Sequence, residues 1–266
     1  MTTLGAIFPP SLPPEQLRSV ALAADRAGLE QLWLWEDCFK ESGIATAAAV
    51  LGWTEGVTVG IGLLPVPLRN VALTAMELAT IERMFPGRLV PGIGHGVLDW
   101  MGQVGVRAAS PMTLLREYTI ALRGLLRGDT LTTSGRYVRL DNVALDWPPA
   151  APPPVLVGAI GQRTVALAGE TSDGVIFTES TTVEKLRESL PHFHAGRATG
   201  AHSDNQDVVV FMSVEGNPPA AAVADRIDQF VTAGATHIIM ISVGNGTPPL
   251  EQFVEFVARD VRPLVK

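Results

Sequence analysis

Cys38 is the only cysteine in the chain, which excludes an intrachain disulfide and a cysteine-built metal site. Basic clusters are missing as well, and the formal net charge of −7 argues against nucleic acid as a partner. No apolar run is long enough to span a bilayer, although 47% of the residues are hydrophobic. The first residues lack a basic-then-apolar signal pattern, so the expectation is a cytoplasmic protein with no membrane partner. Internal sequence repeats are absent, and only the prolines of WPPAAPPP approach low complexity. What remains is a chain of 266 residues, the usual size of one α/β barrel, read here as a single domain over residues 1–266.

The hydrophobic pattern supplies the architecture. VTVGIGLLPVP reads as a buried strand that ends in prolines. The stretch Arg69 to Met84 follows, with Val71, Met76, Leu78, Ile81 and Met84 on an apolar helical stripe stopped by Pro86 and Gly87. RLVPGIG is a second apolar strand, and two strands running the same way across a helix require a parallel sheet. The same rhythm recurs on both sides. LGAIF, LEQLWLW, PVLVGAI, DGVIFTES, VVVFMSV and HIIMISV are further strands, alternating with helices from about Pro13, Ile44, Gly161, Val183, Pro219 and Leu250. HFHAGRATGAHSDNQD reads as a polar exit from the Val183 helix. Between the fourth and fifth strands lie a helix, Pro111 to Leu126, and TLTTSGRYVRLDNVAL, a hairpin signal around Ser134-Gly135. The expected fold is a (β/α)8 TIM barrel with this hairpin as an excursion, WPPAAPPP serving as a bracing loop.

In such a barrel the working residues sit at the C-terminal strand ends. Those ends present Pro9, Glu36, Asp37, Cys38, Leu63, His95, Gly158 to Gln162, Thr178, Glu179 and Glu215. Glu36 and Asp37 are adjacent, so in extended chain they point opposite ways and only one should face the mouth. The Gly158-Ala159-Ile160-Gly161-Gln162 turn runs directly into a helix, whose first N–H groups make a natural anion site. His95 lies between two glycines, expected to leave it uncrowded at the mouth. His192 and His194 follow Pro191 at a polar helix end and read as solvated surface rather than a metal pair.

Four motifs carry a family resemblance: VTVGIGLLPVPLRN with ELATIERMFPGRLVPGIGHG, LWLWEDCFKESG, GRYVRLDNVAL, and PPVLVGAIGQRTVALAGETSDGVIF. The chain resembles the luciferase-like monooxygenase superfamily, in the branch that uses flavin or the deazaflavin coenzyme F420. The resemblance implies an oxidoreductase that holds F420, or alternatively FMN, in the barrel mouth and acts on a small organic substrate. It implies a non-prolyl cis peptide at Gly62-Leu63 behind the ring and a phosphate loop at Gly158, Ala159, Ile160, Gly161 and Gln162. Thr178 and Glu179 join the expected cofactor contacts. His95 matches a phosphate-contacting arginine of the luciferase α chain, and Asp37 matches the luciferase catalytic histidine, so both are candidate catalytic residues. Cys38 and Val97 stand where the F420-dependent sugar-phosphate dehydrogenases have a histidine base and a glutamate acid, which counts against oxidation of a sugar hemiacetal. An FMNH2-dependent monooxygenase and a non-catalytic F420- or flavin-binding barrel are the alternatives. Assembly as a homodimer is expected, through the Arg69–Met84 helix and the Ile44–Leu51 segment.

Overall fold

The computed structural model describes residues 2–200 and 206–266. Eight parallel strands close into a barrel in the order β1-β10-β9-β8-β7-β4-β3-β2. They are β1 (Thr3–Phe8), β2 (Gln31–Leu34), β3 (Thr58–Pro65), β4 (Leu89–Gly94), β7 (Leu156–Gly158), β8 (Gly174–Phe177), β9 (Asp207–Glu215) and β10 (His237–Val243). β5 (Leu131–Ser134) and β6 (Arg139–Val143) form the antiparallel excursion outside it. The helices are α1 (Leu17–Ala27), α2 (Gly43–Trp53), α3 (Val71–Met84), α4 (Leu98–Gln103), α5 (Pro111–Leu126), α6 (Gln162–Thr171), α7 (Val183–Arg197), α8 (Ala220–Thr232) and α9 (Leu250–Phe256). Among the described residues, none of these helices is long and apolar enough to cross a membrane.

The barrel and its hairpin are the fold that the alternating pattern predicts, and the differences are local. β2 ends at Leu34, so Trp35, Glu36 and Asp37 belong to the loop beyond it rather than to the strand. α4 is an added helix, too short at LDWMGQ for periodicity to reveal it. On α3, Val71, Leu78 and Ile81 are buried as expected, but Met76 and Met84 are 57% and 62% exposed. The buried stripe instead runs through Thr74, Ala75 and Glu82, a face turned away from both methionines. α7 continues through Pro191 to Arg197, so His192 and His194 lie on a helix. The tail of the expected polar exit, residues 201–205, lies outside the described residues.

Two packed layers follow from this closure. Helix faces cover the outside of the barrel, and a smaller cluster fills its lumen, built from Ile7, Trp33, Leu156, Ile176, Val209, Phe211, Ile239 and Ile241. Trp33 fits only because β3 carries glycine opposite it, since a Cβ on Gly60 would stand 2.1 Å from the indole. α6 and α7 cross almost in backbone contact, because a Cβ on Gly169 would lie 2.0 Å from the Phe193 carbonyl oxygen. The hairpin is pinned by Glu117 of α5, whose carboxylate accepts the N–H groups of Arg136, Tyr137 and Val138 at 2.8–3.0 Å. Desolvation pushes the Glu117 carboxyl up, but the three N–H groups outweigh it and hold it below the usual range. The proline segment braces the base of the barrel: the Pro148 carbonyl accepts from Arg83 at 3.1 Å, and that guanidinium stacks on Trp147.

Candidate active site

At the C-terminal face a cavity of about 480 Å³ opens between the ends of β2, β3, β4, β7, β8 and β9. Its floor is apolar. Phe211 packs against Trp35 at 5.5 Å between ring centroids, and Leu63 sits beside them at the end of β3. The Gly62–Leu63 peptide is cis, as is Cys38–Phe39, and the β3–β4 register shifts between Ile61 and Leu64. The Leu63 side chain lies in a cradle that only glycines permit. A Cβ on Gly94 would stand 2.7 Å from it, and one on Gly158 2.4 Å.

Of the residues expected at the site, Asp37, Gly62, Leu63, His95, Gly158, Ala159, Ile160, Gly161, Thr178 and Glu179 all line this cavity. Gln162 does not: it is exposed on the first turn of α6, outside the wall. Pro9, Cys38 and Glu215 also fall outside it, and the cavity is displaced toward the β2–β8 side. Trp35, Trp100, Thr164 and Phe211 are lining residues that sequence reasoning missed, and Val97, which the resemblance set against a family glutamate, lines the cavity as well. Phe211 and Trp35 read as core in a strand pattern, and Trp100 sits on the short helix that the pattern did not reveal.

Glu36 and Asp37 separate sharply. The Glu36 carboxylate makes a two-pronged pair with Arg69, its second contact at 2.8 Å, and accepts the Gly43 N–H at 2.7 Å, the first residue of α2. Glu36 is therefore a wall post: it ties the loop after β2 to α2 and to the chain ahead of α3. Asp37 has no hydrogen bond to any described side chain. Burial pushes its carboxyl above the usual range, Lys40 pulls the other way, and the charge of Glu179 pushes it up again. Cys38 is raised too, first by burial and then by the Glu36 and Asp37 charges against Arg69, so it stays a thiol.

His95 is more crowded than its glycine neighbours suggest. Gly94 and Gly96 clear the strand itself, but α4 and the start of α5 lie across the ring, with Pro67, Leu98, Met101 and Pro111 around it. Burial lowers the imidazole pKa, and a hydrogen bond to the Pro111 backbone opposes this only in part. Without a ligand the fold therefore favours the neutral imidazole. Its Nδ1 is buried without a partner, as is Nε1 of Trp35.

The fourth wall is the start of α6. Gly161 caps it, and its carbonyl accepts the N–H groups of Thr164 and Val165 at 2.9 and 3.0 Å. The earlier N–H groups of the turn have no partner within a helix and carry the positive end of its dipole. Nothing lies within 4 Å of a Cβ placed on Gly161, so the approach to them is open. An aromatic floor for a flat ring, two orphaned polar atoms beside it and an open helix N-terminus for an anion fit a phosphorylated ring cofactor. No group of three or more metal-ligating side chains occurs among the described residues.

A closed parallel barrel whose strand ends surround such a pocket defines a cofactor-binding barrel of the enzyme type. The comparisons make this specific: a family model described as luciferase-like monooxygenase matches residues 3–257, and the chain belongs to that family. It is 25% identical over 242 residues to a 5,10-methylenetetrahydromethanopterin reductase of Methanolobus tindarius, covering 90% of this chain and 74% of that protein. An F420-dependent glucose-6-phosphate dehydrogenase of Nakamurella multipartita is 28% identical over 217 residues, covering 76% of this chain and 63% of the relative. The coenzyme F420-dependent tetrahydromethanopterin reductase from Methanopyrus kandleri superposes with a TM-score of 0.86 at 18% identity, over 100% of this chain and 99% of that one. This last likeness speaks to the fold alone.

Proposed function

We propose that the protein is a single-domain F420-dependent oxidoreductase that moves a hydride to or from a small organic substrate at the barrel mouth. The observation that carries this reading is the open N-terminus of α6 beside a flat apolar floor, in a chain whose curated relatives include a 5,10-methylenetetrahydromethanopterin reductase and an F420-dependent dehydrogenase. Bound deazaflavin would supply the hydride chemistry. The chain supplies the rest. The first-turn N–H groups of α6 hold the phosphate, with Gly161 leaving room for it. Trp35, Leu63 and Phe211 form the dry surface against which a ring lies flat. The Nε1–H of Trp35 and Nδ1 of His95 are its polar anchors, and Asp37 holds or moves the proton that accompanies the hydride.

Titration of the protein with F420 and with FMN, followed by the change in cofactor fluorescence, tests the reading. Tight binding of F420 over FMN is the expected result. Preference for FMN would move the reaction toward the monooxygenase alternative, and binding of neither would remove the proposal. Bleaching of the reduced or oxidised cofactor on adding acceptors separates an enzyme from a barrel that only binds.

The same reading includes a homodimer at work in the cytoplasm. α3 turns Leu73, Met76 and Met84 outward, and the two methionines share a surface hollow with the exposed Trp147. On α2, Ala45 and Gly52 are exposed beside Trp53, a flat face of small residues with one large one. Burying these on a second copy would remove apolar surface from water. The mass in solution at micromolar concentration should be that of two chains, and Met76→Glu should halve it.

A further inference from the structure

At the base of the barrel, on the face away from the mouth, a hollow of about 560 Å³ lies between the first residues of β2, β3 and β4, the last turn of α3 and the proline segment. Its wall is mostly apolar, with Leu89, Val90, Pro149, Pro152, Pro153 and Pro154 in it. One carboxyl breaks that wall. Glu82 is only 4% exposed, yet it lines the hollow together with Gly87, whose N–H it accepts at 2.6 Å. Its other oxygen is buried without a partner. Burial pushes the carboxyl up and the Gly87 N–H draws it back, while no ion pair reaches it among the described residues. The cations at hand are engaged elsewhere. Arg83, the one lysine or arginine among the described residues lining the hollow, donates to the Pro148 carbonyl at 3.1 Å and stacks on Trp147, and Arg88 spans the Thr54 and Val57 carbonyls. A leucine at position 82 would complete the buried stripe of α3 without this desolvation cost, so folding by itself gives no reason for the second oxygen.

From this arrangement we propose that the base hollow is a second binding site, separate from the cofactor mouth, and that its ligand is an arylalkyl ammonium, with the ammonium on Glu82 and the aromatic body on the prolines. The inference goes beyond the oxidoreductase reading and stands without it. An ammonium carries the N–H donors and the positive charge that the unpartnered oxygen of Glu82 lacks, and a charge-assisted hydrogen bond of this kind is about twice as strong as a neutral one. Pro86 and Gly87, the turn beside the carboxyl, are exposed, so the donor comes past a surface turn and not through packed core. The prolines account for the aromatic body, because proline rings are rigid and flat-sided and proline-rich segments are recognised by aromatic faces. Being rigid before binding, such a wall loses little freedom on taking a ligand. An anionic ligand would meet the Glu82 charge, and an apolar one would leave its oxygen unpaired.

Calorimetric titration of the intact protein at about pH 8, where an alkylamine is protonated, tests this with 2-phenylethylammonium, neutral 2-phenylethanol, anionic phenylacetate and ethylammonium, which lacks the ring. Phenylethylammonium should bind ~10-fold or more tighter than the alcohol, with phenylacetate weakest, and ethylammonium should fall behind by a similar factor. Glu82→Gln keeps an oxygen for the Gly87 N–H, so the fold survives. It should bring the phenylethylammonium affinity down to that of the alcohol and leave the alcohol unchanged. Equal affinity for phenylethylammonium and the alcohol overturns the proposal, as does equal affinity for the two ammonium probes. So does an ammonium preference that survives Glu82→Gln. Titrating F420 into protein saturated with phenylethylammonium keeps the two sites apart. Unchanged F420 affinity supports a separate base site, whereas competition puts the ammonium in the mouth and overturns it. Absence of F420 binding, with the Glu82-dependent preference intact, removes the cofactor assignment and supports the base site.

Discussion

The barrel has a hollow at each end, and the two are of similar size. The base hollow, about 560 Å³, is walled by Pro149, Pro152, Pro153, Pro154, Leu89 and Val90, against about 480 Å³ at the mouth. Volume therefore does not mark the site; chemistry does. In a parallel barrel every strand ends, and every following helix begins, at the same face. The mouth thus collects free N–H groups and positive dipole ends, while the base collects carbonyls and helix C-termini. The polar groups at the base are largely tied to one another. Arg123 pairs with Asp173 at 2.6 Å and donates to the Thr171 carbonyl, and Asp173 accepts the Val155 N–H at 2.9 Å. Arg88 spans the Thr54 and Val57 carbonyls. At the mouth, Trp35, His95, Asp37 and Glu179 keep unmet capacity.

The strongest way to break this contrast is at the base. Arg123→Met removes the guanidinium that pairs with the Asp173 carboxylate and caps the Thr171 carbonyl, and should cost about 3–5 kcal/mol of stability in a denaturant titration. Folded molecules of the variant should still bind cofactor normally. A loss of affinity without loss of stability would mean that the base, too, serves ligand binding.

The converse change at the mouth is Gly161→Val. The space around that Cβ is empty, so stability should barely move, while cofactor affinity falls by ~1–3 kcal/mol through blocked access and lost hydrogen bonds. Unchanged cofactor affinity would place the phosphate elsewhere.

His95 offers a sharper, pH-dependent comparison. The fold favours the neutral ring, so both states are neutral above the ordinary value of 6.5. Below it the unfolded chain takes up a proton that the folded one resists, and stability falls with pH until the depressed value is passed. His95→Gln should flatten that acid limb in melting curves between about pH 6.5 and 5. An identical limb in the variant would show that His95 is not its source.

The smallest effect pits the two ends against each other directly. Burial raises the carboxyls of both Asp37 and Glu82, the latter at the base with one oxygen accepting the Gly87 N–H and the other unpartnered. A carboxyl raised in the fold weakens folding at neutral pH, and the penalty fades as pH falls through the raised value. Asp37→Asn and Glu82→Gln should each stabilise at about pH 7 by at most roughly 1 kcal/mol, screening included, with the gain shrinking in acid. Cofactor binding should respond only to Asp37→Asn. A response to Glu82→Gln would blur the distinction between the two ends.

Much of this was legible in the residues themselves. Strand-helix alternation fixes a parallel sheet, because like-directed strands need a crossover helix, and eight such units can close on themselves. Strand ends then name the candidate face, which is why Leu63, His95, Gly158, Gly161, Thr178 and Glu179 could be assembled from positions far apart in the chain. Tertiary structure alone decided which contacts each residue makes there. Adjacency makes Glu36 and Asp37 alternatives but cannot choose between them; the choice falls to Arg69 and the Gly43 N–H, which claim Glu36 from elements reached only after folding. The glycines on either side of His95 promise an open ring, and α4 and α5 close over it from elsewhere. Met76 and Met84 have core-like side chains, yet the helix phase set by Thr74, Ala75 and Glu82 turns them outward. Local pattern encodes which residues share an element and a face, whereas charge pairing, desolvation and crowding depend on neighbours distant in sequence, and these decide which side chains of the mouth are tied into its walls and which are not.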